Sequence, residues 1–180
     1  SKLSLSFLAL NNGYQYENLT ENKFQVAYLQ TIGTYGKWYA SKFYGDFGLY
    51  VQMGEAAVSN DKVDVGAYYA GFNLGYKFTN SFKAELGFEY LSGKDQNDTD
   101  TKVKSFTPLF GTNHGFNGLM DYFYVGNHKN SVGLQDFYTK FIYDKNKWQV
   151  TLAPHLFYSA ASVYNMTNLE EQDNYLGTEI

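Results

Sequence analysis

The chain has 180 residues, with 14 Lys, no Arg and 18 Asp plus Glu, for a net charge of -4. It has no Cys, which excludes disulfides and thiolate metal sites but leaves the compartment open. The acidic balance and the missing Arg argue against nucleic-acid binding, which needs a basic face.

Period-2 alternation predicts eight strands, at 2–10, 23–35, 42–53, 63–78, 82–92, 131–143, 147–158 and 174–180. From Phe43, one face reads Phe43, Gly45, Phe47, Leu49, Val51, Met53, and the other Tyr44, Asp46, Gly48, Tyr50, Gln52. Tyr68, Ala70, Phe72, Leu74 and Tyr76 alternate with Tyr69, Gly71, Asn73, Gly75 and Lys77. Phe82, Ala84, Leu86, Phe88 and Tyr90 alternate with Lys83, Glu85, Gly87 and Glu89. In 131–143, Phe137, Phe141 and Tyr143 oppose Asp136 and Lys140; in 147–158, Trp148, Val150, Leu152 and Leu156 oppose His155. A helix would need apolar recurrence at three and four residues, which these stretches lack.

Most of these segments exceed the roughly 5–6 residues of a soluble strand. They match the roughly 9–11 of a tilted membrane strand. No run of about 18 apolar residues makes a membrane helix, and no signal peptide opens the chain. Neither bears on a β-barrel, whose strands are half polar. Long polar connections (11–22, 54–62, 93–130, 159–173) alternate with short turns (36–41, Thr79–Asn80, Asp144–Asn146). That is the two-rim pattern of an outer-membrane barrel, with aromatics such as Trp38, Tyr76, Phe82, Tyr143 and Trp148 near strand ends as girdles. The expected fold is therefore an all-β, antiparallel transmembrane β-barrel with about eight strands present. A Tyr-rich soluble barrel or sandwich is the alternative.

On a barrel, the polar parity lines the lumen: Asp46, Lys77, Lys83, Glu85, Glu89, Asp136, Lys140, His155 and Glu179, with Asp64 placed among them. Such side chains set pore selectivity or pair with one another to fill a narrow interior. Asp95, Asn97, Asp98 and Asp100 are spaced like a calcium loop but lack its mid-loop Gly and closing Glu, so a solvated loop is the expected reading. Glu170, Glu171 and Asp173 form a similar outer cluster. His114, Asp121 and His128 recur every seven residues. Gly115, Gly118 and Gly126 oppose the helix that would align them as metal ligands, and structural roles are expected. Asn18, Asn97 and Asn165 stand in chance Asn-x-Thr sequons. No catalytic motif, metal site or cofactor fingerprint occurs, so no enzyme is expected.

The second half of 93–130 is aromatic and apolar, running Phe106-Thr107-Pro108-Leu109-Phe110-Gly111-Thr112-Asn113-His114-Gly115-Phe116-Asn117-Gly118-Leu119-Met120-Asp121-Tyr122-Phe123-Tyr124-Val125-Gly126-Asn127. Such a loop is expected to fold into a barrel mouth. Its constricting residues would be Phe106, Phe110, His114, Phe116, Asn117, Asp121, Tyr122 and Phe123. This run, with Ser131–Leu134 and Tyr175–Ile180, resembles the alginate-export family of outer-membrane barrels in its Bacteroidetes form. The resemblance implies a barrel of roughly eighteen strands in a Gram-negative outer membrane, of which this chain is one portion. A complete eight-stranded barrel is the alternative. The family's basic, Arg-rich lumen is missing here, so only the pore class is carried over and not alginate itself.

Two functions follow. One is a non-catalytic pore passing a polar solute or polysaccharide; the other is a structural barrel that recruits protein partners. Outer-membrane lipid is a partner in either case, and nucleic acid is in neither.

Overall fold

The computed structural model describes residues 2–110, 117–123, 128, 130–165 and 167–180. They form nine strands and no helix: β1 (Lys2–Asn18), β2 (Lys23–Ala40), β3 (Phe43–Val58), β4 (Asp61–Lys77), β5 (Phe82–Leu91), β6 (Leu134–Lys145), β7 (Trp148–Leu152), β8 (His155–Tyr158) and β9 (Tyr175–Glu179). All pair antiparallel in one sheet, ordered β1-β2-β3-β4-β5-β6-β8-β9, with β7 also on β6. The sheet is open, with β1 and β9 at its edges.

The expected strand 147–158 is two strands. Pro154 has no N–H to give the ladder, so pairing stops after Leu152 and resumes at His155. The Pro154 carbonyl still accepts from the Thr139 N–H at 3.1 Å, which keeps β7 and β8 in line along β6.

Two expected loops are strand instead. Residues 11–18 pair with 23–30, and 54–58 with 61–65. The connections shrink to 19–22 and 59–60, and Asn22 and Ser59 take positive φ (49° and 53°) to close them. Alternation fails in these ends because 54–58 holds only small side chains, Glu55 and one Val, and 11–18 is polar on both faces, yet backbone pairing needs no apolar face. The bond from Gln30 Nε2 to Asn11 Oδ1 (2.7 Å) crosses this polar stretch. Likewise β2 continues to Ala40, so the expected turn 36–41 shortens to 41–42, with Ser41 at φ 55°.

Chain parity puts the connections 19–22, 59–60, 92–133 and 159–174 on one rim, and 41–42, 78–81 and 146–147 on the other. The two long connections are stitched together on the first rim. The Asp95 carboxylate accepts from Ser162 N–H (2.7 Å), and Gln96 Oε1 from Tyr164 N–H (2.7 Å).

The register gives the sheet two unlike faces. One carries Leu5, Phe7, Ile32, Phe47, Leu49, Val51, Phe72, Leu74, Leu86, Phe88, Phe137, Phe141, Val150, Leu152 and Leu156. Among the described residues no second layer lies over it. Phe7 is 82% exposed and Leu86 60%, although both are in paired strands. We call it the bare face. Asp64 shares its parity with Tyr68 and Phe72 and pairs with Glu55, so it belongs to the bare side near the rim and not to the polar wall.

The opposite face is covered near the first rim by the connection 92–133. Val103 bridges parallel to Val65, its N–H donating to Asp64 O (2.8 Å) while Gly66 N–H donates to Val103 O (2.9 Å). Val103 and Phe106 then bury against Leu29, Val65, Ala67, Leu91, Leu134 and Phe157, with Leu109 and Phe123 packed beside them. The hydrophobic core therefore lies between the sheet and its own loop, at one end of the covered face.

Gly93 sits at the root of this loop, where a Cβ would overlap the Val132 carbonyl group. Gly93→Ala is expected to unseat the base of the loop at a cost of roughly 1–3 kcal/mol. Limited proteolysis should then cut between 93 and 133 faster than in the wild type, while strand amides keep their exchange protection.

Candidate functional site: the covered face and its loop

Below the apolar core the covered face is a polar wall. Asp46 is opposite Asn73, Lys77 opposite Lys83, Glu85 opposite Lys140, Glu89 opposite Asp136, and His155 opposite Glu179. All nine residues expected on the polar parity thus share one face.

Tyrosines separate the opposite charges. Tyr44 donates its hydroxyl to Glu85 Oε1 (2.7 Å) and Tyr69 to Glu89 Oε1 (3.2 Å). The ammonium groups of Lys77 and Lys83 lie over the Tyr44 ring at 5.6 and 5.8 Å, and that of Lys140 over Tyr138 at 4.7 Å. Among the described residues none of these lysines is within ion-pair distance of a wall carboxylate. A ring quadrupole holds a cation without neutralising it, so both signs remain available to solute. The expectation of a mutually paired network fits only Asp136 and His155. His155 Nδ1 lies 2.9 and 3.0 Å from the two carboxylate oxygens, and both residues are buried.

Glycines let these rings lie flat. A Cβ at Gly33 would strike the Tyr50 ring, at Gly75 the Tyr44 ring, and at Gly87 the Tyr138 ring. Each tyrosine covers a glycine on the next strand, the cross-strand packing by which aromatics shield glycine in sheets.

The loop is fastened to this wall by side chains reaching up from it. Gln52, 2% exposed, clamps Thr107 with both ends of its amide: Nε2 donates to Thr107 O (2.8 Å) and Oε1 accepts from Thr107 N–H (3.1 Å). Ser92 Oγ donates to Lys104 O (2.8 Å). Glu179 Oε1 accepts from the N–H groups of Leu119 (2.5 Å) and Met120 (2.9 Å), so this expected wall carboxylate is a loop anchor. Asn117 Nδ2 contacts His128 Nε2 at 3.2 Å, both buried.

The expected constriction residues scatter. Phe106 is in the core, Asn117 is buried, and Asp121 and Phe123 are half-buried. Phe110 and Tyr122 are 80% and 63% exposed. His114 and Phe116 lie outside the described residues, so the spacing of His114, Asp121 and His128 is not visible as a unit. Phe110, Asn117 and Asp121 take positive φ (57°, 54°, 56°), which breaks any helix through this stretch. The acidic run is occupied from within the chain. Lys104 Nζ lies 2.6 Å from Asp98 and 3.3 Å from Asp100; it holds the Asp98 carboxyl below its usual range, and the Lys102 N–H together with Lys104 does the same for Asp100.

A cavity of about 470 Å³ lies between wall and loop. Tyr35, Tyr50, Tyr69, Tyr138, Phe106 and Leu109 line it, with Asp46, Glu89 and Asn117 as polar groups. A second cavity of about 120 Å³ adjoins it through Glu89, Asn117 and Tyr138, and reaches Lys140 and His155. Gln52 and the tyrosines are functional groups that the sequence reading did not single out. Their parity was visible, but a partner such as Thr107, distant in sequence, was not.

Gln52→Ala would strand the N–H and C=O of Thr107 in a buried setting, at roughly 1–3 kcal/mol. The expected result is faster amide exchange across 103–110, with β2–β4 unchanged.

Burial holds the His128 imidazole below its ordinary value of 6.5. A folded-state pKa below the unfolded one makes the neutral form the seated one. Loop seating is complete above about pH 6.5 and weakens as pH falls below it. Amide protection factors in 117–123, with the intrinsic pH dependence of exchange divided out, should fall as pH is lowered from 7.5 to 5, and His128→Asn should flatten that part of the profile.

No protein-family model, no curated protein and no solved structure matches this chain.

Proposed function

We propose that the chain forms part of the wall of an outer-membrane β-barrel pore. The pore passes a polar solute or polymer, and the inturned connection 92–133 narrows its mouth. The observation that carries this reading is the bare face. Leaving a Leu, Val or Phe side chain in water forgoes roughly 1.5–3 kcal/mol compared with burying it. A face with Phe7, Leu49, Phe72, Leu86, Phe137 and Leu152 exposed together needs a cover.

Hydrocarbon is the cover the strands suit. The bare parity of 43–53, 68–76, 82–90 and 135–143 has no charged side chain, while the other parity carries the charges. β1–β4 are 16–18 residues long, and a tilted membrane strand needs about 9–11. The surplus is at the rim with the long loops, where Asn11, Asn12, Gln15, Glu17, Glu55, Asp61 and Lys62 make both faces polar. A sandwich partner would instead require the apolar parity to continue to the strand ends. Short turns at the opposite rim and two long stitched connections at the first also fit an outer-membrane barrel.

The wall does not support a polyanion as cargo. Asp46, Glu85, Glu89 and Asp136 are at least as many as Lys77, Lys83 and Lys140 on this wall, and no Arg adds positive charge.

One observation favours a second reading, a sealed structural barrel that recruits partners. The loop is fixed to the wall at Gln52, Ser92 and Glu179 and is not left free.

Conductance of the full-length protein in liposomes separates the two. A pore gives current, and deleting 106–126 raises it. Absence of current with and without the loop rejects the pore; a stoichiometric partner copurifying in mild detergent would then support the scaffold.

A further inference from the structure

We propose that the cavity between the wall and the loop is a binding site for a hydroxylated organic cation, an amino sugar or a short amino-sugar oligomer. This rests on the pore reading for its biological setting and names the class of solute that the wall would recognise.

Three features point to that chemistry. The first is size and lining. About 470 Å³ falls within the usual range for a small-molecule site, roughly 300–1,000 Å³. Tyr50 and Tyr69 add aromatic surface to the lining, Tyr35 and Tyr138 already carrying the ammonium groups of Lys37 and Lys140, and Leu10, Phe106 and Leu109 make it largely apolar. Aromatic faces attract ammonium groups, and the wall already holds its own lysines that way.

The second feature is charge. The described lining residues include Asp46 and Glu89 and no Lys. Lys37, the cross-strand neighbour of Asp46, turns its ammonium over the Tyr35 ring at 5.5 Å and forms no ion pair with it. Asp46 accepts no hydrogen bond from the described residues and is left for a ligand. An anionic solute would meet two carboxylates and no Lys among the described lining residues.

The third feature is an imbalance of donors and acceptors. Asn117 is 4% exposed, lines both cavities and donates through Nδ2 to His128, while its Oδ1 is buried away from the surface. The acceptors left on the lining are Asp46 and the second oxygen of Glu89, whose first accepts from Tyr69. The complementary molecule brings donors, namely ammonium and hydroxyl groups, on a body with apolar faces to stack. Amino sugars combine these. A bare metal ion would leave the aromatic lining unused.

The test is titration calorimetry of the full-length protein in detergent, with three tetrasaccharides as probes: β-linked glucosamine, its N-acetylated form and an oligouronate. The expected order is glucosamine tightest, the N-acetylated form at least about tenfold weaker for loss of the charge, and no binding of the uronate. Asp46→Asn and Glu89→Gln keep size and hydrogen-bonding capacity, and each should weaken glucosamine binding about tenfold. Lys145→Gln, exposed at the end of β6 and outside both cavities, should leave it unchanged. Equal affinity for the three probes, no binding of any, or binding indifferent to Asp46→Asn overturns the proposal. The readout needs no current. Binding without conductance rejects the pore and keeps the site, whereas conductance without binding does the reverse.

Discussion

Everything in this molecule depends on how one sheet separates two environments. Period-2 alternation across continuous antiparallel pairing puts aliphatic and aromatic side chains on one side of the ribbons and charges, amides and tyrosine hydroxyls on the other. A slip of one residue in any register would exchange the two sets. The proposed membrane setting rests on the bare face having no cover among the described residues.

The other face solves a different problem. Its upper end is apolar, with Leu29, Val65, Ala67, Leu91, Leu134 and Phe157, and the chain covers it with its own connection instead of a second sheet. The result is a small core perched on a large sheet. Polar side chains from the wall then fix the loop's backbone, through the Gln52 amide and the Glu179 carboxylate. A loop held by such directional contacts has a defined seat, and the cavity beneath it has a defined shape. The wall's tyrosines serve both roles, holding carboxylates through their hydroxyls and cations on their rings.

Much of the fold was legible in the sequence because alternation reports solvent on one side of a strand. Phe43–Met53 and Phe82–Leu91 could be read almost residue by residue, with both faces assigned. The reading failed where alternation stops meaning anything. Asn11–Asn18 is polar on both sides and Gly54–Val58 holds only small side chains, Glu55 and one Val, so neither shows alternation, although backbone pairing extends both strands. Pro154 interrupts a strand at the level of hydrogen bonds while its neighbours keep the apolar rhythm. Asp64 was assigned by its charge when its parity placed it on the other side.

The sequence by itself determined the all-β class, the facing of the long strands from Phe43 onward, the mixed charge of the wall and the odd composition of residues 106–127. These are local properties, fixed by side-chain type and a two-residue period. Only the tertiary structure decided that Gln52 grips Thr107, that Glu179 caps backbone N–H groups at Leu119 and Met120, that Asp136 pairs with His155, and that Asn117 is buried against His128. Those contacts join residues far apart in the chain, and their partners are set by strand order and loop path, which no periodicity encodes.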